Sequence, residues 1–94
     1  MIQSGKKSVT TAGTQVALAT TRTTASWVFV QANNTNTGAI HIGDSGVDNS
    51  EGVRLLSSEG FMFPDIGGVP YDLQAMFVDS DVNGEGVRFV FGKK

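Results

Sequence analysis

Cysteine is absent from this 94-residue chain. Disulfides, thiolate metal sites and thiol nucleophiles are thereby excluded together, as fits a chain made in a reducing cytoplasm. A single histidine, His41, cannot build a usual zinc site without Cys or further His. The strongest apolar runs are only about four residues long, such as Trp27 to Val30, far short of the roughly 20 that a membrane helix needs. No apolar run follows Lys6 and Lys7, so neither a signal peptide nor a transit sequence is expected, and a soluble chain without a membrane partner is predicted. Acidic residues are missing from the first 43 positions, whereas all nine fall between Asp44 and Glu85. Residues 1–43 carry +3, residues 44–92 carry −7, and Lys93 and Lys94 restore +2. The net charge of −2 is unlike the clustered positive field of a domain that grips phosphates, so nucleic acid is not an expected partner.

What is present points to strands. Leu, Ile, Val and Phe make 25 of 94 residues, enough for a folded core, yet 12 residues are Gly and bury nothing. One domain of this size hides about 60 to 65 % of its unfolded surface, so the core is thin and help from a partner is plausible. Val and Thr supply 20 residues and no window offers an amphipathic helix. Strands are predicted at 6–10, 14–19, 25–32, 39–43, 53–56, 61–63, 73–79 and 87–91, with a hairpin turn at Ala12-Gly13 between the first two, a polar loop at Asn33 to Gly38 and the strongest hairpin signal at Asn83-Gly84. The expected fold is all-β: a compact antiparallel β-sandwich of about eight short strands, jelly-roll-like, with a small β-barrel as second choice. Residues 8–92 form the single domain and residues 1–7 a short N-terminal arm.

Three segments break the alternation that a two-layer sandwich imposes. Trp27 to Val30, Phe61 to Phe63 and Ala75 to Val78 are apolar at successive positions, hence on both faces. Either loops of the same chain or another subunit must cover the second face, and a thin core favours the subunit. Phe61, Met62, Phe63 and Tyr71 are the expected apolar interface residues; Trp27 is expected in the core.

Chemistry-bearing motifs are sparse. Gly43-Asp44-Ser45-Gly46 resembles a serine-protease nucleophile segment, but the chain is too short for that fold and a tight acidic turn explains it. His41, between Ile40 and Ile42, is expected to face solvent or an interface. Asp79, Asp81 and Asn83 match the first half of a calcium loop, but the twelfth position, which should be a bidentate Glu, is Val90, and the flanks are strands. Asp44, Asp48 and Glu51 form a solvated acidic loop with no reason for perturbed acidity. The chain is therefore read as no enzyme, with no catalytic residue and no cofactor.

Taken in order, Val9 to Thr14, Asn36 to Gly43, Gly52 to Leu56 with Glu59-Gly60, and Asp72 to Ser80 with Asn83 to Val87 resemble small structural proteins of tailed bacteriophages. The resemblance spans roughly residues 8–91 and is a pattern of strands and turns. It implies a β-sandwich of the virion, most often a decoration or cement protein on the capsid surface, made in the host cytoplasm. Its partners would be itself, as a homo-oligomer with a trimer favoured, and the major capsid protein. Lys6 and Lys7 would belong to an arm that reaches a neighbour. A tail, baseplate or neck component and a carbohydrate-binding module for host attachment are the alternatives.

Overall fold

In the computed structural model, which describes residues 1–93, nine strands make two antiparallel sheets. The larger sheet sets β1 (Ile2–Ser8), β9 (Gly86–Lys93), β3 (Thr24–Ala32) and β6 (Gly60–Phe63) side by side, and β7 (Tyr71–Asp72) pairs with the start of β3. The smaller one runs β2 (Val16–Ala17), β8 (Phe77–Ser80), β4 (Ile40–Gly43) and β5 (Val53–Leu55). The pairings nest. β4 pairs with β5, β3 with β6, β2 with β8 and β1 with β9, as in one long hairpin bent about the β4–β5 connection. Rolling that hairpin adds the β3–β9 and β4–β8 pairs and closes the jelly roll that the sequence predicts. Two distinct sheets form, so the arrangement is a sandwich and not the barrel alternative.

Period-two alternation decides what enters the core. From the five-stranded sheet Val28, Val30 and Ala32 face directly across to Phe91, Phe89 and Val87, and all six are buried. Ile40, Ile42, Val78 and Leu55 meet them from the four-stranded sheet, with Val9, Leu18 and Leu73 closing the ends.

Two local expectations change. Residues 2–8 are not a free arm but edge strand β1, in continuous register with β9 from Ile2↔Gly92 to Ser8↔Gly86. The pairing needs only backbone groups, so the polar run Gln3 to Ser8 supports it without an apolar pattern. Gly86 makes the approach possible: a Cβ there would collide with the Lys7 carbonyl oxygen and lie 2.7 Å from Ser8 Cα. The expected strand at 73–79 begins instead with a 3-10 turn, Leu73–Ala75, capped by Asp72, whose Oδ1 accepts from the Gln74 N–H at 3.0 Å. An Asp before a short turn competes successfully with extended pairing.

Candidate functional site

The two sheets differ on their outward sides. On the four-stranded sheet that side is roofed by the chain's own loops. His41 and Asp79 face outward as cross-strand partners, yet each is only 3 % exposed. Asp79 Oδ1 accepts from the N–H groups of Gly13 at 3.0 Å and Ser80 at 2.8 Å, and Asn83 Oδ1 accepts from the Ala12 N–H at 2.7 Å. These bonds pin the 10–15 segment over the sheet. His41 Nε2 lies 3.0 Å from Asp81 Oδ1. His41 is therefore buried and not solvent-facing as its flanking isoleucines predict, because a roof made from distant segments is invisible to strand parity.

The same bonds account for the acidic motifs. Asp79, Asp81 and Asn83 each direct a side-chain oxygen to a protein group, and among the described residues no cluster of three or more His, Asp or Glu is placed to hold a metal ion. Asp44 Oδ1 accepts from the Gly46 N–H at 2.9 Å, and the Ser45 carbonyl accepts from Gln15 Nε2, so Gly43 to Gly46 is an acidic turn. Asp48 is held below the ordinary carboxylate range, first by the Ser50 N–H and then by the Ser50 hydroxyl. Glu85 is lowered likewise by the N–H groups of Gly38 and Thr37, which its two oxygens bind at 2.9 and 2.7 Å. Hydrogen bonds to the charged form cause both shifts.

The outward side of the five-stranded sheet has no such roof. Parity places Trp27, Phe29 and Gln31 of β3 there, beside Val90 and Arg88 of β9, Ser4 and Lys6 of β1, and Met62 of β6. They form three rows: Ile2, Gly92 and Trp27; Ser4, Val90, Phe29 and Met62; Lys6, Arg88, Gln31 and Gly60. Phe29 is 37 % and Met62 47 % exposed; Trp27 and Val90 are half-buried. The aromatic rings lie on glycines of neighbouring strands, Phe29 on Gly60 and Trp27 on Gly92, where any Cβ would collide with them. Ring-over-glycine packing holds these rings against the sheet. A groove of about 600 Å³ opens here, lined by Ser4, Lys6, Phe29, Gln31, Arg88 and Val90 among others.

Of the expected interface residues, Met62 and Lys6 lie on this face. Phe61 and Phe63 fall on the opposite side of β6, and Phe63 and Tyr71 pack against the core, their rings 5.9 Å apart and edge-to-face. The Tyr71 hydroxyl donates to the Pro64 carbonyl at 2.6 Å. Lys7 points away from Lys6 on the same edge strand. Trp27, Phe29, Arg88 and Val90 were not among the expected interface residues. The signal that finds them is the alternation of β3 and β9 about their buried neighbours, Val28, Val30, Phe89 and Phe91. In comparisons with known proteins, the chain matches no family model, no curated protein and no solved structure.

Proposed function

We propose that this chain is a structural protein of a tailed-bacteriophage virion, of the capsid decoration or cement type, which binds the head shell as an oligomer. The sequence resemblance supplies the virion, and one structural observation supplies the physical reason for assembly: an uncovered apolar sheet face carrying Trp27, Phe29, Met62 and Val90. Contiguous exposed apolar surface of this kind marks interaction sites on small soluble domains. Covering what remains exposed of such side chains contributes on the order of 1 kcal/mol each, so a single copy would hold its partner weakly. Several copies joined together would hold a lattice firmly through avidity. Binding only to the assembled shell would stabilise it by mass action.

The test is incubation of the purified protein with undecorated heads. Co-sedimentation and greater resistance of the heads to heat or chaotrope are expected. Protein that stays in the supernatant while the heads remain fragile would refute the cement role.

A further inference from the structure

Two features on the five-stranded sheet lack partners within the chain, and they complement one another. The first is the cationic end of the groove. Lys6 and Arg88 are directly opposed across β1 and β9 on the same outward side. Like charges so placed repel. Neither takes part in an ion pair among the described residues. No acidic side chain stands in the three rows of this face, and Phe29 and Val90 lie beside the two cations. A carboxylate followed by an apolar side chain fits there, because it would relieve the repulsion and cover the apolar floor.

The second feature is the loop that joins β6 to β7, residues 64–70. Ile66 is 56 % and Val69 60 % exposed, and Cβ atoms added to Gly67 or Gly68 would meet nothing within 4 Å. The loop therefore projects into open space. Asp65 stands next to Ile66, and its Oδ1 accepts from the Gly67 N–H at 3.0 Å, an Asx turn that presents the carboxylate and Ile66 together. The loop does not fill its own groove, which none of residues 64–70 lines. It leaves β6 after Phe63, opposite Val28, and rejoins β3 at Tyr71, opposite Ala25, whereas Arg88 lies opposite Gln31. Six residues of strand, about 20 Å, separate Ala25 from Gln31.

We infer that the 64–70 loop of one copy docks in the groove of a second copy, with Asp65 between Lys6 and Arg88 and Ile66 against Phe29 and Val90. Donor and acceptor are different surfaces at opposite ends of one sheet, so the contact is head-to-tail; repeated, it closes into a ring or runs on as an open chain. The inference rests on the assembly reading and specifies how copies meet.

The experiment uses the full chain in analytical ultracentrifugation. A donor variant, Asp65→Ser with Ile66→Ser, and an acceptor variant, Lys6→Glu with Arg88→Glu, are each expected to weaken self-association about tenfold or more. All four side chains are exposed, so near-UV circular dichroism should match the parent; Ile66→Ser and Arg88→Gln alone should act in the same direction. Mixed in equal amounts, the two double variants should form a one-to-one dimer, because one keeps an intact groove and the other an intact loop. Association of the parent should also fall between about 0.05 and about 0.5 M salt. A double variant that associates like the parent, or a mixture that stays monomeric, overturns the inference. A parent chain that is monomeric in solution and still co-sediments with heads overturns it too, while leaving the virion reading intact.

Discussion

The outward faces of the two sheets solve the same problem in opposite ways. On the four-stranded sheet, His41 and Asp79 are buried, and the Asp79 carboxylate and the Asn83 amide oxygen bind the backbone amides of Gly13 and Ala12. On the five-stranded sheet, Phe29 and Met62 lie open and Trp27 is half-buried beside them. A small domain has few loops to distribute, and here the 10–15 segment is tied to the outward side of the four-stranded sheet. The loop nearest the other face, 64–70, projects away. The polar side is thus covered within one chain, and the apolar side is not. Backbone hydrogen bonds need short, directional partners that a local loop can supply, whereas apolar surface accepts any well-shaped cover.

The largest effect should come from breaking the open sheet at its edge. Gly86→Ala forces a methyl group into the backbone of Lys7 and Ser8, with an expected loss of at least about 3 kcal/mol in urea unfolding and exposure of β1 to hydrogen exchange. Next comes the roof. Asp79→Ala leaves the Gly13 and Ser80 amides without their acceptor and should cost about 2 kcal/mol, with faster exchange at both amides.

Acid should sharpen the contrast, since the loops depend on carboxylates and the open face has none. Glu85 and Asp48 ionise more readily in the fold than their ordinary values of 4.5 and 3.8. Their contribution is complete above those values and is lost as pH falls through the lower folded ones. The urea midpoint should therefore decline below about pH 4.5, and less steeply in Glu85→Gln. The smallest effect belongs to the open face. Met62→Gln should change the stability of a dissociated copy by no more than about 0.5 kcal/mol while weakening assembly. An equal loss of stability for Met62→Gln and Asp79→Ala would erase the distinction between the faces.

Much of this was legible in the sequence. Trp27 to Val30 reads as apolar on both sides of β3, as it is, but Trp27, expected in the core, lies half-buried on the outward side, and Asn83-Gly84 marks a turn between β8 and β9 that is no hairpin, because the two strands enter different sheets. What escaped was non-local. Strand β1 is recruited by the free edge of β9 through backbone groups, and Gln3 to Ser8 carry no pattern that announces it. His41 is buried by a roof whose anchors, Gly13 and Asn83, lie far from it in sequence. Phe63 and Tyr71 resemble interface aromatics in sequence but turn to the core side of the same sheet edge that presents Met62. In the acidic loops Asp44, Asp48 and Asp79 each turn one oxygen to a backbone amide and Asp81 one to His41, bonds between distant or looped segments that the sequence does not show.

The three methionines provide the most direct measurement. Met1 is open, Met76 is buried and Met62 lies on the uncovered face. Peroxide oxidation mapped by mass spectrometry, on the dissociated protein and on the assembled one, reads all three at once. The account predicts that Met1 reacts and Met76 resists in both states, while Met62 reacts only when dissociated. Equal oxidation of Met62 in the two states would contradict it.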